Sequence, residues 1–283
     1  MAAGDVIVVN ENSHGMKANA YDGTDDYMLV DAHAVERVAA GDTVGTYTAW
    51  IYKDKIANTT AILSTGDNDA ATEYMWFFVD ASGKLSVLLK HGAATQFDIR
   101  ETVASIPART WTHVAVVQNG TQPALYVNGK NVAVTNDTAI DLTFWYDELT
   151  GCDKFAIGVL ESNNAHTADY AGAIGQVKYF ALDLTAEEIL VEFQNGVHSD
   201  PSNLARVTDI ATALTLNITM EDDGITDSGS GADNGTLTGH AYYGGLVSDH
   251  SRALERNVTG HAAEKINSIL DGNVLRTTIV RGD

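Results

Sequence analysis

The sequence predicts an all-β protein built as a sandwich of two antiparallel sheets, and three observations carry that expectation. Residues 111–118, WTHVAVVQ, alternate: Trp111, His113, Ala115 and Val117 share one face and Thr112, Val114 and Val116 the other, which is the period of a strand. A second apolar run at 124–127 ends on Asn128-Gly129. That dipeptide accepts the positive φ of a type I′ turn, so residues 130–134 are expected to fold back as a hairpin. Finally, short candidate strands separated by Gly, Asn and Asp clusters recur along the chain without the alternating helices of a βαβ fold.

In chain order, an apolar strand at 6–9 precedes the polar loop NENSHGMKAN. Strands follow at 47–52, 74–80, 84–90, 111–118, 124–127, 155–159 and 176–182, and Ser82-Gly83 turns the second of these into the third. One helix is expected before residue 200: Thr185 is an N-cap with Glu188 three residues on, a capping box, and the helix should stop near Asn195-Gly196. From residue 198 the character changes. Residues 214–245 read in two ways: as the remnant of a tandem repeat that now serves as a linker, or with 214–220 as a strand able to close the sandwich, on its own chain or on a neighbour, because it would satisfy an open sheet edge. Residues 249–283 show helical periodicity around 262–270 and then a strand at 274–280, too short a stretch to bury a core of its own. The expected division is a sandwich at 1–197, an extension at 198–245 with a strand that completes the sandwich or is swapped to a neighbour, and a docking arm at 246–283 that holds the short helix and strand.

With the 111–130 segment, the motifs YDGTDDYMLV (21–30), YTAWIY (47–52), AILSTGDN (61–68) and AGAIGQVKYFALDLTAEEI (171–189) resemble a laminin-G-like domain. Their order and spacing match that part of the concanavalin A-like lectin/glucanase superfamily over residues 20–197. The resemblance implies a jelly-roll sandwich with a glycan-binding rim of loops. In such domains a loop like DSGSGADNGTLTG usually precedes the motif matched here by YDGTDDY; in this chain it follows, at 227–239.

The chain has 38 Asp and Glu against 17 Lys and Arg, a formal net charge of −21. Such a surface repels phosphate backbones and anionic lipid, which argues against nucleic-acid and membrane partners. The single cysteine, Cys152, allows no intrachain disulfide and is expected to be packed. MAAGDVIVV lacks the basic cluster and apolar stretch of a secretory signal, so manufacture in a cytoplasm is expected. No apolar run approaches the roughly 18 residues of a membrane span.

Sandwich hydrolases place two carboxylates across the scissile bond. No EXDXXE-like strand, HEXXH or GXSXG is present; Glu187-Glu188 lie on the expected helix, and Glu221, Asp222 and Asp223 beside a loop glycine. The protein is therefore expected to be non-enzymatic. Calcium is the expected cofactor if there is one, since hard cations need several oxygens brought together by loops. Its candidate ligands are Asp22, Asp25 and Asp26 in one acidic loop and Asp67, Asn68 and Asp69 in another. Relatives in the family often carry an acidic pair where this chain has Gly175-Gln176, which weakens the transfer. For a glycan, the candidate loop residues are Trp145, Tyr146, Asn163, Asn164 and His166, whereas Trp50, Trp76 and Trp111 lie in strands and are assigned to the core.

These readings combine into a structural or binding protein of a viral particle: a bacteriophage capsid decoration or fibre protein, exposed on the virion surface. Its expected partners are other virion proteins or copies of itself, and cell-surface glycans bound with avidity. The alternative is a microbial cell-surface carbohydrate-binding or adhesion module with an extracellular location.

Overall fold

Two eight-stranded antiparallel sheets enclose the core in the computed structural model, which describes residues 7–10, 18–194, 206–218, 226–238, 242–244, 265–271 and 274–280. The first sheet runs β11 (Lys130–Asn131), β10 (Ala124–Val127), β9 (Thr112–Gln118), β4 (Gly45–Lys53), β16 (Ala171–Phe180), β2 (Ala18–Asp22), β19 (Tyr242–Gly244), with β17 (Leu214–Ile218) also on β16. The second runs β12 (Val134–Ala139), β8 (Ala94–Glu101), β7 (Leu85–His91), β6 (Tyr74–Val79), β5 (Thr60–Gly66), β13 (Lys154–Ile157), β3 (Tyr27–Leu29), β18 (Thr236–Thr238). A hairpin of β14 (Leu160–Ser162) and β15 (Ala165–Thr167) and a sheet of β1 (Ile7–Asn10), β21 (Val274–Val280) and β20 (Lys265–Asp271) complete the strands. The helices are α1 (Asp31–Ala40), α2 (Ala186–Gln194) and α3 (Val207–Ala213).

The inner faces meet in one apolar core. Tyr47, Ala49 and Ile51 of β4 and Val114 and Val116 of β9 pack there against Met75, Phe77 and Val79 of β6, Val87 and Leu89 of β7, and Phe97 and Ile99 of β8. The outer face of the first sheet is buried as well: Ala115, Val117, Tyr126 and Phe180 form a second cluster with Leu184 and Ile189, at the start of α2, and Ile210 of α3. β9 is consequently buried along its whole length. No comparable cluster covers the outer face of the second sheet among the described residues.

Local chemistry accounts for the connections. Asn128 and Gly129 take φ 49° and 75°, the pair of positive values a type I′ turn needs. The hairpin that follows is shorter than 130–134: Lys130 and Asn131 pair back, the Val132 N–H donates to the Leu125 carbonyl at 2.9 Å, and by Val134 the chain has crossed to the other sheet as β12. Thr185 and Glu188 form the expected capping box, with Glu188 Oε2 accepting from the Thr185 N–H at 2.8 Å and Thr185 Oγ1 accepting from the Glu188 N–H at 3.3 Å. Helix α1 is not legible beforehand, because it has no side-chain N-cap and buries only His33 and Ala34. Lys265–Asp271, where the periodicity points to helix, is strand β20, and a helix not expected from the sequence, α3, stands at Val207–Ala213. Expectations for residue 6, residues 11–17, Asn195-Gly196, residues 219–220, Glu221, Asp222, Asp223 and residues 262–264 lie outside the described residues.

Strand β17 completes the first sheet within the chain. Residues 171–175 of β16 pair with β2, and Val177 to Phe180 pair with β17 on the same side, so β17 continues the edge where β2 ends. The loop behind it turns on Asp227, whose Oδ1 accepts from the N–H groups of Asn217 and Gly229, both at 2.7 Å, and whose Oδ2 accepts from Asp233 at 2.8 Å. Gly229 is required here because a Cβ would lie 2.6 Å from the Thr215 carbonyl oxygen. β18 then pairs with β3 at the edge of the second sheet.

Two expectations follow for stability. Asp227→Ala strands three backbone donors and should cost about 2–4 kcal/mol in a urea melt, whereas Ser228→Ala, at an exposed neighbour, should cost less than about 0.5 kcal/mol. A result in which the two variants melt alike would remove Asp227 as the organiser of the loop. The second concerns pH. His113 is buried between Trp50 and Phe193, and burial, reinforced by the Lys178 charge, pulls its imidazole down to about 3. Burial lowers His33 too. A folded-state value below the unfolded one, about 6.5, means that the unfolded chain binds the extra proton. This stability is therefore intact above pH 6.5 and drains away as the pH falls towards 3. His113→Phe should make the acid limb of the Tm–pH curve shallower; an unchanged limb would place the acid sensitivity elsewhere.

Candidate functional site

The uncovered outer face of the second sheet is where chemistry collects. Along β6 the residues alternate, with Met75, Phe77 and Val79 in the core and Tyr74, Trp76 and Phe78 on the outer face. In register beside them, Lys90, Leu88 and Ser86 of β7 occupy the outer face, followed by Asp98 and Arg100 of β8. Trp76 lies flat on Phe78, ring centroids 3.9 Å apart and planes 14° from parallel. The Arg100 guanidinium sits 5.9 Å from the Phe78 ring and the Lys90 ammonium 5.5 Å from that of Tyr74, both within cation–π range. Phe78 is thereby buried, whereas Tyr74, Trp76, Leu88, Lys90 and Arg100 remain half-exposed.

Polar groups on this face are held firmly. Asp98 accepts from Arg100 Nε at 3.0 Å and from Nη2 at 2.7 Å, a bidentate pair, and Asp137 on edge strand β12 lies 3.1 Å from the same Nε. These bonds raise Arg100 above its ordinary value. Burial, with the charge of Asp98, raises the Tyr74 phenol. Two buried atoms, Trp76 Nε1 and Ser86 Oγ, have no hydrogen-bond partner.

The β14–β15 hairpin crosses β5 on this same face and forms a wall. Ser64, opposite Trp76 in register, donates to the Val159 carbonyl at 2.9 Å and accepts from the Glu161 N–H at 3.0 Å. Asn163 and Asn164 make the turn, both at positive φ, and are exposed with His166. His166 pairs with the Glu161 carboxylate and packs on Tyr27, ring centroids 4.2 Å apart. Burial raises the Glu161 carboxyl above the usual range even against that imidazole.

Trp145 and Tyr146 are not surface residues and cannot offer a platform: they are 0% and 1% exposed. Trp145 Nε1 donates to Tyr179 Oη at 3.2 Å, Tyr179 donates to Asp42 at 2.9 Å, and Tyr146 and Tyr47 share a hydroxyl hydrogen bond that continues to His33 Nε2 at 2.8 Å. The three tryptophans assigned to the core are instead half-buried, with Trp50 of β4 beside Phe193, Trp111, just before β9, beside Tyr52, and Trp76 of β6 on the open face. The signal for Trp76 was present as Tyr74-x-Trp76-x-Phe78 followed by Asp98-x-Arg100, two i, i+2 patterns. It was masked because β6 is apolar on both faces, so alternation could not say which face was inside.

The two acidic loops behave differently. Asp22, Asp25 and Asp26 each place a carboxylate oxygen within 4.8 Å of the others, a spacing one calcium ion with 2.3–2.6 Å bonds can span. Their loop is also self-supported: Asp26 Oδ2 accepts from the Asp22 N–H and Asp22 Oδ1 from the Thr24 N–H, both at 2.8 Å. Asp67, Asn68 and Asp69 build turns: Asp67 Oδ1 accepts from the Asp69 N–H at 2.7 Å, and the Asn68 N–H donates to Asp153 at 3.0 Å. Among the described residues they form no carboxylate cluster. Cys152 is buried and unbridged, and burial raises its thiol far above the ordinary value. No described helix is long and apolar enough to cross a membrane.

Comparison with known proteins places this architecture. The concanavalin A-like lectin/glucanases superfamily matches residues 22–190. Among solved structures, the CBM40 of the Ruminococcus gnavus IT-sialidase bound to α2,6 sialyllactose aligns at TM-score 0.52 and 14% identity, over 62% of this chain and 95% of that one. A Bacteroides ovatus protein named for carbohydrate binding aligns at TM-score 0.52 and 18% identity, over 83% of this chain and 61% of that one. The leech intramolecular trans-sialidase gives TM-score 0.52 and 18% identity, over 65% of this chain and 27% of that enzyme. No curated protein sequence matches the chain. At these identities the likeness is one of fold.

Proposed function

The chain belongs to the concanavalin A-like lectin/glucanases superfamily, and from that premise we propose that it is a non-catalytic carbohydrate-binding module of a cell surface or the extracellular space. The observation that carries the reading is the half-exposed aromatic column on an uncovered sheet face, with a bidentate Asp98–Arg100 pair beside it. Sugar rings present apolar C–H faces to aromatic planes and hydroxyls to charged groups, and a wide β-surface with a few fixed polar groups matches both. Asn163, Asn164 and His166 on the hairpin wall extend the surface.

Two further observations support it. Asp98 is committed to Arg100 through both oxygens, which suits orienting hydroxyls and not transferring a proton. The solved structures of similar fold include sugar-binding modules, one of them seated on sialyllactose. No observation supports a place on a virion, so the cell-surface alternative takes precedence over the phage-particle expectation. Within the same reading Asp22, Asp25 and Asp26 hold calcium and stiffen the loop before β3.

On a glycan array, the full chain should bind a restricted set of oligosaccharides, and Trp76→Ala should weaken the best of them at least about 10-fold, roughly 1.4 kcal/mol, without changing the Tm by more than a few degrees. Retained affinity in that variant would move the site off this face. Calcium at millimolar concentration should raise the Tm, and Asp25→Asn, at an exposed position, should abolish the rise. A Tm indifferent to calcium in both proteins would leave the acidic loop a solvated turn.

A further inference from the structure

We infer that Phe78 is a positioning residue of the glycan site: it holds the Trp76 indole in the orientation that meets a sugar, although the sugar never touches Phe78 itself. The inference rests on the carbohydrate-binding reading and deepens it by naming what shapes the platform. Trp76 and Phe78 stand two apart on β6 and so share its outer face. Their rings stack at 3.9 Å with planes 14° from parallel. Phe78 is 1% exposed, out of a sugar's reach, whereas Trp76 is half-exposed. One indole face is taken by Phe78, which leaves the opposite face for a sugar ring.

No hydrogen bond fixes the indole. Trp76 Nε1 is buried and has no partner. Its neighbours in register are Leu88 of β7, which carries no polar group, and Ser64 of β5, whose hydroxyl is engaged with the Val159 carbonyl and the Glu161 N–H of the hairpin wall. A buried indole ordinarily finds an acceptor for its N–H, so an unmet one records an orientation set by packing. Phe78 supplies that packing. It is flanked in register by Ala61 and Ser86, small side chains that leave room for its ring, and the Arg100 guanidinium lies 5.9 Å from it. Arg100 is in turn held by Asp98, at 3.0 and 2.7 Å, and by Asp137, at 3.1 Å. Trp76 therefore meets a ligand with its rotamer already chosen, and the freedom that an unsupported side chain loses on binding is given up beforehand, in folding.

The test uses the full chain carrying Phe78→Leu or Phe78→Met, which keep apolar volume and remove the ring, titrated with the strongest oligosaccharide of the glycan array. Each should weaken binding about 2–10-fold, the loss expected when the sugar must order one side chain itself. In a Trp76→Ala background, Phe78→Leu should change the remaining affinity less than about 2-fold, because a residue acting through Trp76 has nothing left to act on. The near-UV circular dichroism of Trp76, read as the difference between each protein and its Trp76→Ala counterpart, needs no sugar and should collapse in Phe78→Leu. Affinity retained in both variants, a Trp76 signal that persists in them, or a loss of equal size with and without Trp76 overturns the positioning role. The carbohydrate-binding reading then still stands so long as Trp76→Ala weakens the parent. If no oligosaccharide binds the parent, or Trp76→Ala binds as the parent does, both fall together.

Discussion

The structure depends on an asymmetry of burial. Both sheets hide their inner faces in a common core, but α2 and α3 lie on the outer face of the first sheet only. Strands β4 and β9 are therefore covered on two sides, and their outward slots can hold Ala115, Val117 and Thr48 with no access to water. The second sheet has no such cover among the described residues, and its outward slots carry Tyr74, Trp76, Lys90 and Arg100, side chains that combine an apolar body with a polar end. Such residues tolerate a wet surface while still offering area to a partner. The place of the candidate site follows from which sheet the helices chose.

The core has a polar interior of its own. His33, Tyr47, Tyr146, Tyr179 and Trp145 are buried together, and their hydroxyl, imidazole and indole groups bond to one another and out to Asp42. Buried polar atoms are costly when unmet, so a linked set of this kind specifies one arrangement of the rings. His33 Nδ1 stands apart from that chain of bonds, 3.7 Å from the buried Asp233 carboxylate of the extension. Burial of α1 and of the extension thus meet at one imidazole.

The extension belongs to the fold. β17 takes the part of the β16 edge that β2 leaves open, and Asp227 gathers the backbone behind it. The strand and loop after the Tyr21–Val30 motif reach both sheets from the C-terminal side of the chain, β17 on β16 and β18 on β3. Antiparallel pairing is indifferent to chain order so long as the strand arrives at the right edge in the right direction.

Local chemistry, readable without coordinates, determined the sandwich class, the Asn128-Gly129 and Ser82-Gly83 turns and the capping box at Thr185, because each depends on residues adjacent in the chain. The aromatic residues were a different matter. Trp145 lies in a loop, as the sequence suggests, but is buried where an exposed rim is expected, and Trp76, expected in the core, stands on the open face: a loop residue can be carried inward by the packing of the strands around it, and a strand that is apolar on both faces does not declare which one faces water. Helix α1 leaves no amphipathic stripe in the sequence, because only two of its ten residues, His33 and Ala34, are buried. The meeting of Tyr74, Trp76, Ser86, Asp98 and Arg100 was decided only by register across three strands, β6, β7 and β8, a property of hydrogen-bonded neighbours that no single segment contains.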